Sequence, residues 1–168
     1  MRNRTFNIFI AALLLSGMST WLAAEEIYYN PIIPADYSDP DVVRVGDDYY
    51  MTASSFNMAP GLPVLHSKDL VHWTLIGQGI QRLHDALIPY NNRKASELDY
   101  DQPRLGKGVY APAIRYHDNL FWIVWADPDA GIYQVRAKNP AGPWTEPVLI
   151  HKASGIIDPC QEGVGPII

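Results

Sequence analysis

Two of the aspartates that stand directly before prolines in this chain, Asp39 and Asp158, are the residues whose type and placement could do chemistry. Asp39-Pro40-Asp41 feeds straight into the apolar run 42–45, and Asp158-Pro159 lies near the end of the sequence. A carboxylate at the mouth of a strand can take up, release or attract a proton. Proline has no N–H to give to a ladder, so the strand proper is expected to start after Pro40, and Asp39 is expected to be pushed toward an extended backbone. The competing reading of Asp39 is a turn residue that caps a strand entry, since Asp-Pro is a common turn signal, and on these residues alone that reading leads. His66, His72, His117 and His151 are scattered without metal-ligand spacing, which argues against zinc. Asp47-Asp48 and Asp127-Pro128-Asp129 are of a type that binds calcium, but such pairs more often form turns with solvated side chains. No cofactor and no metal site is therefore expected.

Composition narrows the function classes. The 168 residues carry a net charge of −5 with no cluster of lysine or arginine, so nucleic-acid binding is a poor fit. Arg2 and Arg4, the apolar run 8–15, and Leu22-Ala23-Ala24 before Glu25-Glu26 form a secretory signal pattern over residues 1–24. That run is short for a membrane span. The expectation is a secreted or periplasmic protein, off the membrane once the signal is removed, with residues 25–168 as its folded portion. Cys160 is the single cysteine, so packing and not an internal disulfide must stabilise the fold. Ten tyrosines and five tryptophans suit carbohydrate stacking or a dense β core equally well.

Short runs rich in Val, Ile, Tyr, Phe and Trp, separated by turn signals, predict an all-β chain. Strands are expected at 42–45, 49–54, 62–66 and 73–76, then at 113–116, 120–125, 132–137 and 144–150. The polar stretch 81–108 between the two groups reads as a long loop that helps to wall a binding site. Arg44-Val45-Gly46-Asp47-Asp48-Tyr49-Tyr50 aligns with Arg115-Tyr116-His117-Asp118-Asn119-Leu120-Phe121, and Trp73 aligns with Trp144. Successive four-stranded units at a period of about 71 residues are the signature of propeller blades. Both tryptophans are expected to pack in the core. Asp39-Pro40, Ala111-Pro112 and Asp158-Pro159 punctuate three unit starts, but residues 161–168 neither alternate nor suffice for a third blade.

Six phrases in order carry a resemblance over residues 30–160. They are Asn30-Pro31-Ile32-Ile33 with Ser38-Asp39-Pro40-Asp41, Arg44-Val45-Gly46-Asp47-Asp48-Tyr49-Tyr50, His66-Ser67-Lys68-Asp69-Leu70-Val71-His72-Trp73, Tyr110-Ala111-Pro112-Ala113-Ile114-Arg115-Tyr116-His117, Gly142-Pro143-Trp144, and Ile157-Asp158-Pro159. Together they resemble the N-terminal part of glycoside hydrolase family 43, of the arabinofuranosidase and β-xylosidase type. The resemblance implies a five-bladed β-propeller, present here as about two blades and the start of a third. It implies inverting hydrolysis of arabinosyl or xylosyl bonds in plant cell-wall polysaccharides, so arabinose- or xylose-containing saccharides are the expected partners. Asp39 matches the general base, and Asp158 the aspartate that orients the general acid and raises its pKa. Phe56 matches an aromatic lining the sugar subsite. Tyr110 stands where a tryptophan is usual, and Ala113 where an aspartate or histidine is often found. The acid is a glutamate on a later blade, and Glu97, Glu146 and Glu162 do not match it. The chain by itself is therefore expected to be inactive and poorly stable. The alternative is a non-catalytic carbohydrate-binding or propeller-like interaction protein, which would be retained on arabinan or xylan without releasing sugar.

Overall fold

The computed structural model describes residues 27–82 and 106–160. The stretch 1–24 expected to be a signal, most of the stretch 81–108 expected to be a loop, and residues 161–168 lie outside the described residues, as do Glu97 and Glu162. The described residues form eight strands in two antiparallel four-stranded sheets, each in sequential order. The first blade holds β1 (Asp41–Val45), β2 (Asp48–Thr52), β3 (Gly61–Ser67) and β4 (Thr74–Ile80). The second holds β5 (Tyr110–His117), β6 (Leu120–Asp127), β7 (Gly131–Ala137) and β8 (Val148–Lys152). The all-β, blade-by-blade architecture expected from the sequence is what is observed.

Alternation explains β1. Val43 and Val45 turn toward the core, while Val42 and Arg44 face outward. β6 reads as an unbroken apolar run, and residues 123–127 are all buried. The hairpins follow their turn chemistry. Asp118 and Asn119 have φ of 51° and 60°, the double left-handed pattern of a type I′ turn. Gly46 supplies the positive φ that opens the β1–β2 turn. Val45 pairs with Asp48 and His117 with Leu120, so the two hairpins correspond with Gly46 opposite Asp118. The sequence alignment had paired Gly46 with His117, one residue away. Tyr50 and Phe121, which that alignment paired, instead touch each other, with ring centroids 4.8 Å apart. These two rings face each other across the blade seam, so they lie on opposite faces of their own sheets.

Strand limits differ from the expectation where proline acts. β5 reaches back to Tyr110, because a bulge between Tyr110 and Ala113 absorbs Pro112 within the strand. β8 begins at Val148 and not at residue 144. Ahead of it, Pro147 has no N–H for a ladder. Thr145 instead holds its segment to β7, its N–H donating to the Arg136 carbonyl (3.0 Å) and its Oγ1 accepting the Arg136 N–H (3.1 Å). Trp73 and Trp144 keep equivalent roles all the same. Each indole N–H donates to a carbonyl of the preceding turn, of Leu70 (2.9 Å) and Pro140 (3.3 Å) respectively. Trp144 also packs against the core as expected, whereas Trp73 is not among the residues packed against it. Asp127 departs from the solvated role expected of it. It is buried at the end of β6, and its Oδ1 accepts the Asp129 N–H (2.9 Å) to shape the turn into Gly131.

Leu62, Val64 and Ile80 of the first blade meet Val109, Ile114, Phe121, Ile123, Trp125 and Tyr133 of the second in one apolar core. A Cβ on Gly77 would lie 2.7 Å from the Ala141 carbonyl oxygen, so glycine allows the blades' outer edges to touch. At the inner edge the Asp41 carboxylate accepts the Ile114 N–H (2.7 Å) and a guanidinium N–H of Arg115 (2.6 Å).

Two predictions follow from this packing. Asp41→Ala removes a charged acceptor from two donors across the seam, and urea unfolding should show a loss of about 1.5–3 kcal/mol. The second concerns acid. The His72 ring, the N–H groups of His72 and Val71, and the Ser67 hydroxyl all donate to Asp69, and hold its carboxyl well below the usual carboxylate range. A folded value below the unfolded one gives stability that is present above the ordinary carboxylate pKa, about 3.9, and is lost as pH falls through the folded value. Unfolding midpoints measured down the acid limb should therefore fall less steeply for Asp69→Asn than for the wild type.

Candidate functional site

Asp39 sits at the entrance to β1 with its side chain exposed. Its φ is 49°, so the backbone is left-handed and not extended as the following proline suggested. The Ser54 N–H donates to the Ser38 carbonyl (2.9 Å), and the Ser54 hydroxyl donates to Asp39 Oδ2 (2.7 Å). Ala111 (φ 34°) and Asp158 (φ 54°) also precede prolines and share this left-handed backbone. Since Ala111 has no carboxylate, the conformation belongs to the blade entry and not to a reacting group. A non-glycine residue with positive φ is uncommon and, repeated at corresponding positions, marks a constrained place in the fold.

The segment 53–56 leaves β2 and crosses to the second blade. Phe56 forms an isolated antiparallel bridge with Val109, with both N–H···O bonds at 3.0 Å. That bridge brings Phe56 against Tyr110, ring edge to ring face, with centroids 5.2 Å apart. The Tyr110 hydroxyl donates to the Gly106 carbonyl, which fixes the phenol. Ser55 is buried and serves the fold, its Oγ accepting the Leu62 N–H (3.1 Å). Ala113 is buried and offers no polar group.

Three of the four residues singled out from the sequence are thereby gathered along one seam: Asp39, Phe56 and Tyr110, linked through residues 54 and 109–111. Asp158 stands exposed after β8, at the third left-handed entry, and is in no hydrogen bond or ring contact with those three. What the gathering offers is an exposed carboxylate with one oxygen anchored, beside an aromatic wall. That combination can activate water next to a ligand with an apolar face. Among the described residues no group of three or more His, Cys, Asp or Glu side chains could hold a metal.

A separate charged cluster lies at the other end of the first blade, beside the β1–β2 hairpin. Lys68 Nζ stands 2.7 Å from Asp48 Oδ1, and the His66 ring bonds the same oxygen. The Lys68 ammonium, with His66 behind it, holds the Asp48 carboxyl below its usual value, and Asp48 in turn raises Lys68. Burial pushes the neighbouring Tyr50 phenol up.

Sequence reasoning missed Ser54 and Asp41. Ser54 was visible inside Thr52-Ala53-Ser54-Ser55-Phe56, where four polar or small residues follow an apolar strand and precede an aromatic. That clue marks a buried polar segment without naming its partner. Asp41 follows Asp39-Pro40 directly, and was overshadowed by it.

Comparison with known proteins supplies an independent line. The model for "Glycosyl hydrolases family 43" matches residues 28–161. A non-reducing end α-L-arabinofuranosidase of Bacteroides ovatus is 40% identical over 163 residues, 89% of this chain and 27% of that protein. A β-xylosidase of Formosa agariphila is 34% identical over 78% of this chain and 21% of its own length. Among solved structures, a family 43 protein from a Bacteroides ovatus xyloglucan locus superposes with TM-score 0.57 at 44% identity, over 72% of this chain and 23% of that one. A family 43 protein of Bacillus licheniformis superposes with TM-score 0.61 at 32% identity, over 79% of this chain and 26% of that one. The chain spans about a quarter of the length of these relatives.

Proposed function

The chain belongs to glycosyl hydrolase family 43, its two sheets being blades of that family's five-bladed β-propeller, and on this premise we propose that it supplies the base-bearing part of an inverting glycosidase acting on arabinosyl or xylosyl bonds of plant cell-wall polysaccharides. The observation that carries the reading is the exposed Asp39 carboxylate, tethered through one oxygen at the blade entry beside the Phe56–Tyr110 wall. The relatives' names, arabinofuranosidase and β-xylosidase, support the class of sugar.

In this reading Asp39 takes a proton from the water that attacks the anomeric carbon. A carboxylic acid on the opposite face of the sugar gives a proton to the departing oxygen. Inversion needs the two carboxyl groups roughly 6.5–9.5 Å apart, to leave room for the water. Asp158 is assigned to the acid's side of the site, where a second negative charge makes the acid harder to ionise and keeps it protonated near neutral pH. Phe56 and Tyr110 offer their ring surfaces to the sugar. The acid itself is assigned outside the described residues. Glu146 is the one glutamate among them, and it is exposed between β7 and β8, away from the blade entries.

The test joins residues 27–160 in frame to the remaining blades of the Bacteroides ovatus relative and assays aryl α-L-arabinofuranosides and aryl β-D-xylosides. Turnover with inverted anomeric configuration, followed by proton NMR, is the expected result. Asp39→Asn should then cost about 10²–10⁴-fold in kcat, and Asp158→Asn should shift the pH limb that reports the acid. Retained configuration, or full activity in Asp39→Asn, would overturn the reading. The 168-residue polypeptide assayed alone is expected to release no sugar.

A further inference from the structure

We propose that Ser54 is a positioning residue for Asp39: its hydroxyl fixes the carboxylate against the backbone of the second blade and leaves Oδ1 as the oxygen that meets the reacting water. The inference deepens the reading of Asp39 as general base, and rests on that reading for its catalytic meaning.

A serine hydroxyl has one proton to donate and lone pairs to accept with. The Ala111 N–H donates into the Ser54 Oγ at 2.7 Å. Ala111 lies at the left-handed entry of the second blade, so the position of that N–H is set by the fold. With an N–H pointing into it, the oxygen must send its own proton elsewhere, and the acceptor within reach is Asp39 Oδ2 at 2.7 Å. Ser54 is 4% exposed, which leaves little room for water to compete for either bond. The direction of both bonds is therefore determined, and a directed chain of this kind polarises each link toward the carboxylate. The Ser54 backbone adds a second hold, since its N–H donates to the Ser38 carbonyl just before Asp39. One residue thus grips the entry of the first blade through its main chain and orients the carboxylate through its side chain. Oδ2 is committed to Ser54, and Oδ1 remains for a proton from water.

Ser55 provides an internal control. It is equally buried, and its hydroxyl also accepts a backbone N–H, that of Leu62, but it does not touch Asp39. Ser54→Ala, Ser54→Cys, Ser54→Thr and Ser55→Ala are compared in two settings. In the full 168-residue chain, amide hydrogen exchange is followed at Ala111 and at Phe56. Ser54→Ala should speed exchange at Ala111 while Phe56, paired with Val109, keeps its protection. In the joined propeller, Ser54→Ala should lower kcat by about 10- to 100-fold, the scale of a misplaced reacting group, with KM little changed. Ser54→Thr should restore both readouts, and Ser55→Ala should move neither. Ser54→Cys, nearly isosteric but weak in both bonds, gives the same comparison if the alanine variant does not fold. Unchanged exchange at Ala111, or a kcat loss no larger than that of Ser55→Ala, would overturn the inference. If Asp39→Asn keeps activity while Ser54→Ala still frees the Ala111 amide, the functional reading fails and the hydroxyl bridge stands.

Discussion

Among the described residues no backbone ladder runs from one sheet into the other, and a single isolated bridge, at Phe56 and Val109, is the strand-like pairing across the seam. The relative placement of the two blades therefore rests on side chains, and the Asp41 carboxylate is where that dependence concentrates. It takes the Ile114 N–H and the Arg115 guanidinium from the neighbouring inner strand. Apolar packing alone is non-directional, so the core of Leu62, Val64, Ile114 and Trp125 holds the sheets together without fixing how far one slides along the other. Hydrogen bonds have a length and a direction. Asp41, Ser54 and the Phe56–Val109 bridge supply both, and Ser54 does so in direct contact with Asp39.

The candidate site inherits its geometry from this seam. Asp39 belongs to the first blade, and Tyr110 and Ala111 to the second. Phe56 comes from a segment that leaves the first blade only to bond the second. A small shift of one sheet would separate the carboxylate from its aromatic wall without unfolding either sheet. The charged cluster of Asp48, Lys68 and His66 sits beside the hairpin at the far end of β1 and β2 and does not bear on this geometry.

Local rules made most of the fold legible in the sequence. The turns at Gly46-Asp47 and Asp118-Asn119 announce themselves by residue type, and Trp73 stands directly before β4, whereas Trp144 precedes β8 by several residues. Legibility failed where a residue's state is set by a partner far along the chain. Asp39 has a left-handed backbone, and Ser54, which bonds its carboxylate, is fifteen positions away. The partners that Asp41 finds are more than seventy positions distant. The burial of Asp127 could not be read from Asp-Pro-Asp, which looks the same in a solvated turn. The one-residue slip in the repeat had a related origin. An aspartate-containing turn matches well in either register, and what separates the registers is the strand pairing of Val45 with Asp48 and His117 with Leu120.

The three left-handed entries have a consequence for how such a molecule can change over generations. Asp39, Ala111 and Asp158 hold the same backbone shape before the same proline, yet the middle one carries a methyl group where the others carry a charge. Copying a blade would copy its entry intact, with the chemistry reduced to the choice of one side chain per copy. A ring of such units resembles a dial whose marks are written by single codons: charge can be added or erased at one mark while the ring itself keeps its form.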